Sequence, residues 1–336
     1  MVSPSFSELT SSDSAFANSA FSDLIGQQQA IELLERAISL NRIAPGYLFV
    51  GPAGTGKALA AVGFAQRLLQ QGRNAEVTPA VNPVLARRIR DRNHPDLLWV
   101  EPTYQHNGNL LTAKQAAETG LKRKSPPRIR LPQIREIAQF LSRPALESPQ
   151  AVVIVEQCDR MAEPAANALL KTLEEPGNAT LILMAPNQQA ILPTLVSRCQ
   201  SIPFRRLNGE QMAEVLTQNG HGEIVQSVEV MAIAQGSPGR AIASWQQLQA
   251  LPAELLSQLS EPPKTLRSAL ELARDINQTL DTEAQLWLLD YLQHRYWQQG
   301  LADGDTLKIL EKARIYLLAY VQPRLVWEIA LSSLTP

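Results

Sequence analysis

The chain has 336 residues, too many for one domain of ordinary size, and its 45% hydrophobic and 19% charged residues are those of a globular protein. Thirty-one Lys and Arg against thirty-two Asp and Glu leave a net charge of −1, which excludes a global electrostatic grip on nucleic acid and leaves only a local basic patch for that purpose. Two cysteines, Cys158 and Cys199, exclude a disulfide framework and a four-thiolate zinc site, and no apolar run or basic-then-apolar start suggests a membrane helix or secretory signal, so a cytoplasmic protein without a membrane partner is expected.

Residues 1–22 are Ser-rich and read as a flexible leader. From Gly26, the run GQQQAIELLERAISL sets Ile31, Leu34, Ala37 and Ile38 on one face of an amphipathic helix. An apolar strand, Tyr47 to Val50, leads through a Gly-rich turn into a second helix, and residues 71–95 carry no clear period. Leu97 to Pro102 reads as a strand, and the polar, basic residues 103–130 as a surface loop or a short interrupted element. Pro132 then sits in the first turn of a helix, where its missing N–H does no harm.

Ala151 to Glu156 is continuously apolar up to its last residue, the pattern of a strand buried on both faces of a parallel sheet. A helix ending at Pro176, a second buried strand from Ala179 to Ala185, and a short helix from Leu192 to Arg198 follow. Strands alternating with helices predict a doubly wound α/β domain over residues 23–205. Beyond it the strand signals vanish. Residues 206–255 read as a small helical lid broken by Gly220, Gly222 and Gly236 to Gly239, and residues 256–336, with a hinge at Pro262 and Pro263, as an all-α C-terminal domain. Thr282 and Gln285 have the spacing of a capping box there.

Gly51, Pro52, Ala53, Gly54, Thr55, Gly56 and Lys57 fit the phosphate-loop pattern G-x-x-x-x-G-K between a strand and a helix. Glycines let backbone N–H groups converge on phosphate oxygens, the helix N-terminus adds positive potential, and Lys57 would reach the terminal phosphates. The next position weakens hydrolysis. Ser or Thr there ligates magnesium, and Ala58 cannot. The second apolar strand ends in Glu156 at the metal-facing position, but Gln157 stands where a general base belongs, and an amide accepts no proton at neutral pH. Asp159, three residues past Glu156, reads as a solvated turn or helix-entry residue rather than a displaced base.

Asn167 to Pro176 (NALLKTLEEP) and Ser197-Arg198-Cys199 resemble signature blocks of bacterial DNA polymerase III clamp loader subunits. GQQQAIELLERAISLNRIAPGYLFVGPAGTGK, NHPDLLWVEP, IRLPQIREI and QPRLVWEIAL resemble the same family, so that the likeness covers nearly the whole chain beyond the leader. It implies an AAA+ (RecA-like) core, a helical lid, and a collar through which five subunits form an open ring. Such a ring uses ATP to open a sliding clamp and place it on primed DNA. It also implies that Arg198 is an arginine finger, a cation aimed at the ATP of a neighbouring subunit. The alternative role for Arg198 is an ordinary helix-end or surface ion pair.

The family offers a gamma/tau-type motor and a delta-prime-type subunit. In active members the GSPGRA segment carries a sensor arginine at the position of Gly239. Here Arg240 comes one residue late, about 100° further round a helix. A polar sensor expected near Ala185 or Pro186 is absent, with Asn187 in reach only if the register slips. Together with Ala58 and Gln157, these departures favour the delta-prime type, with ATP weak or absent at its own site and no ATPase activity alone. Its implied partners are the motor (gamma/tau) and delta subunits, the sliding clamp and, through the complex, primed DNA; an ATP-hydrolysing gamma/tau-type motor is the alternative. Many relatives carry a four-cysteine zinc module between the two motifs, but residues 58–150 hold no cysteine, so no zinc is expected. Lys122, Arg123, Lys124, Arg128, Arg130 and Arg135 form a basic segment that would meet a phosphate backbone or an acidic partner, or simply lie in solvent.

Overall fold

The computed structural model describes residues 20–70, 82–119, 126–301 and 303–335. These divide into two compact units, one from within Met1–Gln115 and Pro127–Gln211, the other from within Ala116–Pro126 and Met212–Pro336.

The first unit begins with α1 (Gln28–Ser39), which buries the predicted face of Ile31, Leu34, Ala37 and Ile38. Then come β1 (Gly46–Val50), α2 (Lys57–Gln70) and α3 (Pro83–Arg90), whose N-terminus is capped by the Asn82 side chain accepting from Val84 N at 2.9 Å. β2 (Leu97–Val100) is followed by β3 (Tyr104–His106), β4 (Asn109–Leu111), α4 (Ala113–Glu118), whose residues are shared between the two units, and α5 (Leu131–Leu141). β5 (Ala151–Val155), α6 (Glu163–Glu174), β6 (Ala179–Ala185), α7 (Pro193–Val196) and β7 (Gln200–Pro203) complete it. The five-stranded sheet runs β2-β5-β6-β1-β7 and is parallel throughout, the doubly wound core expected of an AAA+ protein.

Alternation along the strands builds two cores, one on each face. Tyr47, Phe49, Val152, Ile154, Ile182 and Met184 point to the side covered by α1, α2 and α3. Leu48, Val153, Val155, Leu181 and Leu183 point to the side covered by α5, α6 and α7. That double covering is why β5 is apolar at every position, and β6 at every position but Thr180, rather than at every second one. β1 lies between β6 and β7, so its carboxyl end opens into the crevice where ligands of such sheets bind.

Two expectations are corrected. Residues 103–130 are not one loop: β3 and β4 form an antiparallel hairpin with Asn107 and Gly108 at φ 48° and 82°, followed by α4. Asn-Gly is the pair that supplies two positive-φ residues to such a turn. The cap near residue 282 sits one residue earlier than the spacing suggests: Asp281 accepts from Ala284 N at 2.9 Å, and Gln285 is buried, donating to Leu280 O. The Asp281 carboxylate reaches the N–H from extended backbone, which leaves Thr282 inside the helix. Of the basic segment, residues 122–124 lie outside the described residues; Arg130 is spent on the backbone, donating to Thr103 O at 2.6 Å and Arg128 O at 3.2 Å.

The second unit is helical among the described residues. After α8 (Gly209–Gln218) come α9 (Val228–Ala234), α10 (Pro238–Ala250), α11 (Ala253–Gln258), α12 (Leu266–Thr279), α13 (Thr282–Gln298), α14 (Gly304–Leu318) and α15 (Pro323–Ser332). One apolar core runs from Ile233 and Leu251 through Leu272, Ile276 and Leu292 to Trp327 and Leu331. Trp327 is fully buried, and its indole N–H donates to Gln285 Oε1 at 2.9 Å, which satisfies the one polar atom that its burial strands.

Candidate functional site

The loop after β1 is pinned by both neighbouring strands: Gly51 N donates to Ala185 O at 3.1 Å and Phe204 N to Val50 O at 2.7 Å. A Cβ on Gly51 would stand 2.3 Å from Phe204 O, so this close approach requires glycine. Gly54 and Gly56 take φ of 75° and 98°, which bends the backbone into a cradle of N–H groups. Inside it, Thr55 Oγ1 donates to Pro52 O at 2.9 Å. Gln27, buried ahead of α1, donates to Thr55 O at 3.2 Å and Arg205 O at 2.7 Å and accepts from Arg205 N at 2.9 Å, tying the loop to the chain beyond β7. Sequence reasoning missed Gln27, because nothing in its spacing to the loop marks a partner 178 residues away.

Lys57 folds over this loop, donating to Gly51 O and, at 2.6 Å, to Pro52 O. Burial drives its pKa down to about 8 against the attraction of Asp159 and Cys158. Ala53 and Ala58 are exposed, and Ala58 brings only a methyl group to the start of α2.

The predicted second-strand carboxylate is engaged elsewhere. Glu156 Oε1 accepts from Trp99 Nε1 at 2.7 Å and from Arg92 Nη2 at 3.1 Å, with the guanidinium stacked 4.3 Å over the Trp99 ring and also paired with Glu101. Gln157 is exposed at φ 47°. Asp159 lies in a short turn, as the sequence reading has it, but is only half solvated: its Oδ1 is shielded without a hydrogen-bond partner, and it is the carboxylate whose field reaches Lys57. The turn at Cys158–Arg160 folds it inward, which strand periodicity cannot foretell.

Ala185 is buried at the end of β6, and Asn187 spends its side-chain oxygen on Ala190 N at 2.8 Å. In the second unit Arg240 donates to Asp290 Oδ2 at 2.6 Å, and the same carboxylate binds Arg314.

Arg198 follows α7. Its Nε and Nη2 donate to Glu174 Oε1 at 3.1 and 2.7 Å, and its Nη1 to Thr194 O at 3.0 Å. The next residue, Cys199, is half-buried, and burial raises its thiol to about 11; Cys158 is buried and raised further, so both are inert thiols at neutral pH. Among the described residues no group of three or more His, Cys, Asp or Glu is placed to hold a metal, and no helix is long and apolar enough to cross a membrane.

A family profile described as "DNA polymerase III, delta subunit" matches residues 26–208, and one described as "Cyanobacterial DNA polymerase III delta prime, C-terminal domain" matches residues 210–334. A DNA polymerase III subunit delta′ from Bacillus subtilis (strain 168) is 33% identical over 193 residues, 57% of this chain and 51% of that one. The delta′ subunit of Pseudomonas aeruginosa is 32% identical over 200 residues, 58% and 54% of the two chains. The tau subunit of B. subtilis is 26% identical over 228 residues, 65% and 36%. The chain thus spans about half the length of the delta′ relatives it matches. Among solved structures, a DNA polymerase III gamma subunit-related protein from Thermotoga maritima aligns over 90% of this chain and 98% of its own, at 16% identity and a TM-score of 0.49. With one profile on each half and delta′ subunits among its relatives, the chain belongs to the DNA polymerase III delta-subunit family, as a member of its delta-prime type.

Proposed function

We propose that this chain is a ring subunit of a clamp loader: it lends Arg198 to the ATP of a neighbouring subunit and does not split ATP itself. The observation that carries the reading is the contrast between two sites on one domain. At the home site the glycine cradle and Lys57 fit a phosphate, but Ala58 offers no magnesium ligand, Glu156 is held by Arg92 and Trp99, and Gln157 cannot take a proton. When bound there, a nucleotide would have its phosphates held by the loop N–H groups and Lys57. At the other site the arginine of the Ser197-Arg198-Cys199 block is intact and partly exposed, at 38% of its side-chain surface. A guanidinium delivered by an adjacent subunit is an established means of stabilising charge in phosphoryl transfer.

Apolar side chains left exposed on the helical unit support a life in an assembly. Leu266 and Leu270 lie one turn apart on α12, Ile315 and Leu318 on α14, and Leu325 and Ile329 on α15. The partners proposed are gamma/tau-type motor and delta-type subunits in a five-membered ring, the sliding clamp and primed DNA, in the cytoplasm. Within the chain, residues 23–205, 206–255 and 256–336 would serve as core, lid and collar. The second reading, a gamma/tau-type motor, is favoured by the complete Gly51 to Lys57 loop. The test is reconstitution with motor and delta-type subunits, followed by clamp loading onto primed DNA. Arg198→Ala should leave folding and assembly intact and slow loading; loading at the wild-type rate would contradict the proposal.

A further inference from the structure

Arg198 is restrained in a particular way. A guanidinium carries five N–H donors, one on Nε and two on each terminal nitrogen. Three are used here: Nε–H and one on Nη2 go to the single oxygen Glu174 Oε1, at 3.1 and 2.7 Å, and one on Nη1 goes to Thr194 O at 3.0 Å. What remains is one N–H on each terminal nitrogen, and such charged donors bind phosphate oxygens. Glu174 comes from the last turn of α6, 24 residues away in sequence, and Thr194 from α7, so two separate elements hold the one side chain.

We infer that Glu174 is the positioning residue for Arg198: its carboxylate fixes the guanidinium so that the unspent pair of donors is presented outward, ready for an anionic phosphate of a neighbouring subunit. The inference rests on the reading of Arg198 as a finger acting in trans. A long arginine alone on the surface samples many rotamers, and each must be lost when it docks. A carboxylate that takes Nε–H and one Nη2–H removes that freedom in advance. Glu174 is itself half exposed, at 50% of its side-chain surface, so the pair adds little to the stability of the fold. Its effect belongs in the geometry of the finger instead.

The reconstituted ring tests this with Glu174→Ala, Glu174→Gln and Arg198→Ala in this chain, measuring kcat and KM for ATP, thermal unfolding of each variant and its incorporation into the ring. Glu174→Ala should lower kcat by about 10-fold, since a misplacement near 1 Å can cost more than that. KM for ATP and the unfolding temperature should stay as in the wild type, because the finger acts on charge developing in the transition state. Glu174→Gln keeps an acceptor oxygen in the same place and should retain most of the activity. Wild-type kcat for Glu174→Ala beside a slow Arg198→Ala overturns the inference and leaves the finger standing. A raised kcat for Glu174→Ala also overturns it, since Glu174 would then compete with the phosphate. An inert Arg198→Ala removes the finger reading and this inference together.

Discussion

Lys57 is a cation half-enclosed by its own loop, with carbonyl oxygens of Gly51 and Pro52 standing where phosphate oxygens would otherwise satisfy it. Enclosure favours the neutral amine and brings the pKa from the ordinary 10.5 to about 8. The linkage sign follows. Between about 8 and 10.5 the unfolded chain binds the proton more tightly, so folding gains stability as pH rises through that window and is independent of this group below it. Urea unfolding of the wild type and Lys57→Met should therefore show a stability difference that is flat below about pH 8 and moves in favour of the wild type up to about pH 10. A difference that stays flat across the whole range would mean that Lys57 is not enclosed. At this scale the sequence was eloquent about identities and silent about pairings. It placed Lys57, Ala58, Gln157 and Arg198, but the partners of Glu156, Asp159 and Arg198 come from strands and helices far along the chain.

Among the elements, the loop before β5 shows how one buried side chain orders a segment with no regular structure. Asp96 is buried beneath it and accepts from Leu146 N at 2.6 Å, Glu147 N at 2.9 Å and Ser148 N at 2.7 Å. Burial works to raise its pKa, but the three backbone donors outweigh that and hold it below the ordinary 3.8. Nearby, His94 is buried with its Nδ1 accepting from Asp96 N at 3.2 Å, and burial and the Arg88 charge keep it below its usual value. Asp96→Ala strands three donors and should destabilise the chain by about 2–3 kcal/mol in urea unfolding. The stabilisation from Asp96 is full above its unfolded-state value of 3.8 and is lost as the pH falls through the lower folded value, so wild type and variant should converge only in strong acid. A loss well under 1 kcal/mol at neutral pH would show that the loop holds itself. Runs such as AVVIV and ATLILMA announced β5 and β6 because burial on both faces leaves them apolar, with Thr180 the one polar side chain between them. α3 was hidden: of its eight residues only Ile89 is buried, and three arginines mask its period. The β3–β4 hairpin was missed despite its Asn107-Gly108 signal, because strands of three residues are too short to show alternation.

For the whole molecule, the switch from strand to helix periodicity marks an α/β part followed by a helical one, and the structure divides into two units between Gln211 and Met212. What periodicity could not foretell is that residues on either side of Pro262 share one core, from Ile233 to Trp327, since helix pairing depends on faces that meet only in three dimensions. The same holds for the division of labour proposed here, in which the chemistry done by this chain takes place at a neighbour's nucleotide. The measurement that bears on it most directly is steady-state ATP turnover of the reconstituted ring carrying either Arg198→Ala or Lys57→Ala in this chain alone. The proposal predicts that Arg198→Ala lowers turnover severalfold or more, as loss of a finger does in related phosphoryl-transfer systems, while Lys57→Ala leaves it close to the wild type. The reverse result, with turnover dependent on Lys57 and indifferent to Arg198, would contradict it and make the chain a motor.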